Sequence, residues 1–219
     1  MRLQAQRQAV VTACRELVST GLVRGTSGNV SIRDPVTGLI AVSPSGTEYA
    51  TMDPQDVAVL TDDGDVPEGR LMPTTEAGMH LGIYRARSDV RAVVHTHSPF
   101  ATTLAALREP VPAVHYILAK AATTVRVAPY ERYGTREIAE ACVRTLGTDQ
   151  GVLLANHGVV AVGKDIAAAM AVAVAIEYTA EITWRARAIG VPVVLEDDEM
   201  AGVATAFSGY GRATRRDGG

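Results

Sequence analysis

Apolar positions along this chain follow two spacings, one helical and one extended, and their alternation outlines a fold. Leu3, Val10, Val11, Cys14, Leu17 and Val18 form a helical stripe closed by Gly21. The small residues Gly25 to Asn29 then lead into a strand, Val30 to Arg33, which turns at Asp34 to Gly38 and returns through Leu39 to Ser43 as a hairpin. Val57 to Thr61 is a further strand, turned at Asp62, Asp63 and Gly64. Pro73 and two threonines open a helix to about Arg87, with Met79, Ile83 and Ala86 on its inner face. The valine-rich segment Ala92 to His97, bounded by Arg91 and Pro99, reads as a buried strand, and Val125 to Ala128 as another. Thr135 caps a helix reaching Leu146. Strands flank His157, at Val152 to Ala155 and Val159 to Val162, and a long helix covers Asp165 to Ile189. The glycine- and arginine-rich tail from Ser208 is expected to fray. Interspersed strands and helices, with several hairpins, predict an α/β fold: a three-layer α/β/α arrangement around a mixed, mostly antiparallel sheet. No linker divides residues 1–219, so a single domain is expected.

Composition narrows the function. An apolar fraction of 47% supplies a core, and with 5% aromatics that core is built mainly from Ala, Val, Leu and Ile. A net charge of -3 offers no electrostatic case for nucleic acid or anionic lipid. Cys14 and Cys142 lie far apart on helix-like segments and form no CxxC pair, so neither a disulfide framework nor a thiolate zinc site is suggested. The first ten residues lack the apolar core of a secretory signal. The apolar run Ile166 to Ile176 ends at Glu177, too short to span a bilayer. A cytoplasmic protein with no membrane partner is expected.

The candidate chemistry lies in the histidines. His95 and His97 stand two apart on a strand and so project from one face, where two imidazoles can converge on an ion. His157, in an N-H-G turn between two apolar runs, can join them. Three nitrogens with one open position suit a catalytic zinc. H-x-H alone is weak, because core histidines satisfied by backbone groups are common; a third histidine and Glu76 at a helix start strengthen it. Glu76 could equally be a first-turn carboxylate placed by the helix dipole. His80, one turn later, reads as packed within the helix rather than as a fourth ligand, and His115 as packed near the surface. The loop Gly25 to Asn29, the turn Ser43-Pro44-Ser45-Gly46 and the pair Thr74-Thr75 at a helix N-terminus suit an oxyanion, or are simply turns and caps. No Walker or Rossmann fingerprint is present.

G-T-S-G-N-V-S, S-P-S-G, P-T-T-E, V-V-H-T-H-S, V-P-A-V-H-Y and N-H-G-V-V occur in the order and approximate spacing of the class II aldolase/adducin family, which the chain resembles from its first helix to about Tyr210. A-P-Y-E-R-Y-G-T-R-E and F-S-G-Y-G are most similar to the aldolases of that family that act on L-fuculose 1-phosphate. The resemblance implies one Zn²⁺ per chain on His95, His97 and His157, with Glu76 as acid/base and as a ligand when no substrate is bound. It implies Gly28, Asn29, Ser45, Gly46, Thr74 and Thr75 around a phosphate, and Tyr133 and Tyr210 near the aldehyde. Tyr116, from a neighbouring subunit of a homotetramer with interfacial active sites, would protonate the aldehyde oxygen. The implied reaction is reversible cleavage of a ketose 1-phosphate to dihydroxyacetone phosphate and an aldehyde such as L-lactaldehyde. Family rivals are a ribulose-5-phosphate 4-epimerase, a methylthioribulose-1-phosphate dehydratase and a decarboxylase; glutamate rather than aspartate at position 76 favours the aldolase. A metal-free interaction module, as in the adducin head, is disfavoured by the three retained histidines. Two departures bear on specificity: threonines at 74 and 75 where the fuculose enzymes tend to have serines, and a loop, Ala119 to Val125, without the expected glycines.

Overall fold

The computed structural model describes residues 1–209. Seven strands form one sheet: β1 (Asn29–Arg33), β2 (Ile40–Val42), β3 (Ala58–Leu60), β4 (Ala92–Thr96), β5 (Val127–Ala128), β6 (Gly151–Leu154) and β7 (Gly158–Gly163). Their order is β3-β2-β1-β4-β7-β6-β5. Every pairing is antiparallel except β5 with β6. Helices α1 (Gln4–Ser19), α3 (Pro99–Leu107) and α5 (Ile166–Ile189) cover one face, α2 (Ala77–Ala86) and α4 (Arg136–Leu146) the other, and α6 (Asp197–Gly209) closes the described chain. The expected three-layer fold with a mixed, mostly antiparallel sheet is therefore observed.

Strand periodicity divides the core in two. Ala92 and Val94 of β4, with Val159 and Ala161 of β7, face α1, α3 and α5. Val93, Val160 and Val162 face α2 and α4. The period of two then carries His95 and His97 to the α2 side, His97 lying one residue beyond the strand. The predicted Thr135 cap holds, its Oγ1 accepting from the Ile138 N–H, and Asp165 proves to be the cap of α5, a carboxylate oxygen accepting from the Ala168 N–H at 2.8 Å. By length and composition α5 could cross a membrane, but half of its most apolar stretch is buried inside the protein, as befits a core helix.

Three expectations are corrected. Helix α2 begins at Ala77 rather than at Pro73, because Pro73 bridges Pro44 and the Thr74 N–H donates to the Ser43 carbonyl, which keeps this segment extended beside the end of β2. Ala86 is exposed; it is the last helical residue, where the chain leaves the core, and the buried arc of α2 includes His80 and Tyr84 instead. Helices α3 and α6 and the 3-10 turn Tyr116–Lys120 were not evident in the apolar pattern. In α3, Pro99 marks the helix start at its first position as well as the end of the preceding strand.

Candidate active site

Glu76, His95, His97 and His157 come from three places: the start of α2, the end of β4 and the β6–β7 turn. Their ligand atoms all lie within 4.8 Å of one another. The imidazoles stand edge to face like propeller blades, with centroids 4.9, 4.9 and 5.0 Å apart and interplanar angles of 75° to 79°. His95 Nδ1–H donates to the Val159 carbonyl at 2.8 Å, which turns Nε2 inward. That Nε2 is 3.0 Å from His97 Nε2 and 3.3 Å from Glu76 Oε2, while His157 Nε2 is 3.3 Å from Glu76 Oε1. His95 is fully buried.

Glu76 caps α2 only in position. Its side chain makes no cap hydrogen bond; Oε2 accepts from Asn29 Nδ2 at 2.9 Å, and buried Oε1 has no hydrogen-bond partner. The simple helix-dipole reading of this carboxylate is therefore insufficient, since the side chain is turned into the histidine cluster. Burial pushes its acidity toward the neutral form, but attraction to His95, the hydrogen bond to that ring, His157 and the Asn29 amide outweigh burial and hold the carboxyl well below its usual range. Burial, reinforced by His95, pushes His97 and His157 down to about 4, so both are neutral and able to ligate near pH 7. Three imidazole nitrogens, one carboxylate with an orphaned buried oxygen and no thiolate form a donor set that fits a divalent first-row metal.

Two glycines permit this convergence. Gly28 has φ of 75°, and a Cβ there would meet Val23 Cγ1 at 2.6 Å and the His95 carbonyl at 2.7 Å. A Cβ at Gly158 would strike the Thr96 carbonyl and crowd the His97 ring at 2.9 Å.

The proposed phosphate segments lie side by side. Asn29 pairs with His95 across β1 and β4. The Ser45 N–H donates to the Met72 carbonyl, bringing Ser45 and Gly46 beside the strand-like approach to Thr74 and Thr75. The two threonines are not equivalent: Thr74 is buried and its hydroxyl accepts from the Glu76 N–H, whereas Thr75 is exposed and lines a cavity. That cavity, about 350 Å³, is bounded by Thr75, Glu76, His97, His157, Asn156, Tyr130, Glu131 and Tyr133. Tyr133 is thus one of the residues that line the cavity.

Tyr116 does not line this cavity. It stacks on His115 at 4.6 Å in a separate groove between α1, α5 and the 3-10 turn, and is half exposed. Tyr210 lies outside the described residues. His80 is no ligand: it is buried, with both ring nitrogens bonded to Asn29 and Ser31, and His115 is half-buried near the surface, as anticipated for each. Tyr130, Glu131 and Asn156 were missed as lining residues. The first two sit in the same A-P-Y-E-R-Y run as Tyr133, and Asn156 precedes His157 with φ of 54°, signals that proximity in sequence offered.

A histidine and carboxylate cluster at the strand ends of a helix-covered mixed sheet, opening on a small cavity, gives this α/β/α protein a donor set that could hold a metal ion. The family model for the class II aldolase and adducin N-terminal domain matches residues 8–184, and the chain belongs to that family. It is 45% identical over 212 residues to a 5-deoxy-D-ribulose 1-phosphate aldolase of Bacillus thuringiensis serovar kurstaki, covering 97% of this chain and all of the relative. An L-fuculose phosphate aldolase of Escherichia coli is 34% identical, over 92% of this chain and 94% of its own length. A solved structure titled L-fuculose 1-phosphate aldolase superposes with a TM-score of 0.91 at 40% identity, covering 93% of this chain and 96% of that one.

Proposed function

We propose that the protein is a zinc-dependent aldolase that reversibly cleaves a ketose 1-phosphate into dihydroxyacetone phosphate and a short aldehyde. The observation that carries this reading is Glu76: an ionised, buried carboxylate with one oxygen anchored by Asn29 and the other unpartnered among three histidines. His95, His97 and His157 would hold a divalent metal, which would supply Lewis-acid polarisation to the hydroxyketone. In the condensing direction Glu76 takes a proton from C3 of dihydroxyacetone phosphate, and C3 bonds to the aldehyde carbon. Tyr116 then protonates the aldehyde oxygen. In cleavage the same steps reverse: the C4 hydroxyl proton returns to Tyr116, the C3–C4 bond breaks, and Glu76 delivers a proton to C3. Gly28, Asn29, Ser45, Gly46, Thr74 and Thr75 hold the phosphate, and Tyr133 meets the aldehyde. Because Tyr116 faces a groove away from the cavity of its own chain, its role is assigned to a neighbouring subunit of a homotetramer. The protein is assigned to the cytoplasm.

The higher identity to a 5-deoxyribulose 1-phosphate enzyme moves the preferred substrate from L-fuculose 1-phosphate to 5-deoxyribulose 1-phosphate, which would release acetaldehyde. L-Fuculose 1-phosphate, releasing L-lactaldehyde, is the second reading, supported by the 40% identical structure of that title. Both substrates, with and without chelator, form the test. Dihydroxyacetone phosphate should appear from the deoxypentulose phosphate at the higher kcat/KM, be abolished by chelator and return with Zn²⁺. Epimerised or dehydrated product without bond cleavage would exclude the aldolase.

A further inference from the structure

One face of α2 carries Glu76, His80 and Tyr84 at successive turns, and the facing strand β1 carries Asn29 and Ser31 at alternate positions. The two rows interlock into a single chain of hydrogen bonds. Asn29 Nδ2 is 2.9 Å from Glu76 Oε2; Asn29 Oδ1 is 2.6 Å from His80 Nε2. His80 Nδ1 is 2.7 Å from Ser31 Oγ, which is 2.8 Å from the Tyr84 hydroxyl. Asn29, Ser31, His80 and Tyr84 are each at most 3% exposed.

Elementary donor counting fixes the polarity of this chain. An ionised Glu76 only accepts, so Asn29 must present its amide nitrogen there and its oxygen to His80. His80 must then carry its proton on Nε2, and burial, which pushes the ring down to about 3, keeps it neutral. Its bare Nδ1 accepts a hydrogen bond from the Ser31 hydroxyl, and Ser31 in turn accepts from Tyr84. Among these five side chains, the one buried polar atom without a hydrogen-bond partner is Glu76 Oε1.

We infer that His80 is a positioning residue: through Asn29 it anchors Oε2 of Glu76 and leaves Oε1 as the oxygen that exchanges the carbon-bound proton. An asparagine amide can turn over, and a turned amide would set its oxygen against the carboxylate. Glu76 disfavours that turn from one side and the Nε2–H of His80 from the other, while Ser31 and Tyr84 occupy the second ring nitrogen of His80. The inference rests on Glu76 as the acid/base.

Its test is separable from that of Glu76. In ¹⁵N spectra of the histidine-labelled zinc enzyme, His80 should show the Nε2–H tautomer, in Glu76→Gln as in the parent; an Nδ1–H tautomer in the parent overturns the inference whatever Glu76 does. In His80→Leu, exchange of the dihydroxyacetone phosphate C3 proton with deuterated water should slow about ten- to hundredfold, the worth of a hydrogen bond to a charged group. The loss should be read at saturating dihydroxyacetone phosphate, which separates it from a change in KM through Asn29 at the phosphate, and zinc should stay on the three histidines. His80→Gln, whose amide can still donate to Asn29, should recover most of the rate. Parent-rate exchange in His80→Leu, or equal losses in the Leu and Gln variants, would overturn the inference. Should His80→Leu fail to fold, Ser31→Ala removes a single buried oxygen. It should mix the His80 tautomers and slow exchange in step with them; slowing without mixing, or mixing without slowing, counts against the inference. Glu76→Gln that exchanges at the parent rate sinks the acid/base reading alone, and leaves the tautomer result standing.

Discussion

Glu76 divides the site into two unlike halves. On the β1 side its carboxylate meets Asn29, backed by buried His80, Ser31 and Tyr84, and every polar atom there has a partner. On the cavity side stand Tyr130 and Tyr133, 55% and 66% exposed, where side chains retain rotamer freedom. A buried network is costly to disturb because each lost partner leaves an unpaired polar group, whereas an exposed tyrosine can change at small cost. The first half can therefore hold the proton-transfer geometry, while the second can adjust to different aldehydes. The two relatives' names fit this division, since 5-deoxyribulose and fuculose phosphates share the dihydroxyacetone phosphate portion and differ in the rest.

The strongest way to break this contrast is Glu76→Gln. Positioned acid/base catalysis contributes about 10²–10⁴-fold, and C3 proton exchange followed by NMR should fall by that factor with the fold retained. Exchange at the parent rate would reduce Glu76 to a helix-start carboxylate.

Acid should act next, first through the cavity-side histidines and then through the buried half. His97 and His157, at about 4 in the fold against an ordinary 6.5, bind more protons unfolded than folded in that window. Stability of the metal-free protein should consequently fall as pH drops from about 6.5 toward 4. His80, at about 3, extends the loss downward, and Glu76, held below its ordinary 4.5, adds to it as its stabilising charge is neutralised. Thermal melts should show this, at about 2–4 °C per kcal/mol lost. A melting temperature constant across that range would mean the imidazoles are already charged in the fold. Bound zinc should offset the loss near pH 6 and release it where proton competition wins.

The smallest effect is expected from Tyr133→Phe, on the exposed half. It should shift kcat/KM between the acetaldehyde and L-lactaldehyde products by only a few fold, about 1 kcal/mol or less, and leave C3 exchange unchanged. A drop in exchange equal to the drop in cleavage would place Tyr133 with the proton-transfer half and erase the contrast.

The sequence by itself determined the sheet-borne part of this arrangement. A period of two is local geometry, so His95 and His97 had to share a face, and apolar runs on both sides of N-H-G had to make a hairpin with His157 near its tip. Only the tertiary structure decided the rest. That the P-T-T segment stays extended depends on Ser43, about thirty residues earlier in the chain, and it delays α2 until Glu76 can turn into the cluster rather than cap its own helix. The same long-range packing put His80 against Asn29 and Ser31, making a residue that local reading calls mere packing the partner of the asparagine that holds Glu76. Hydrogen bonds between elements far apart in sequence carry no periodic signature, so they become visible only when the strand and the helix are laid against each other.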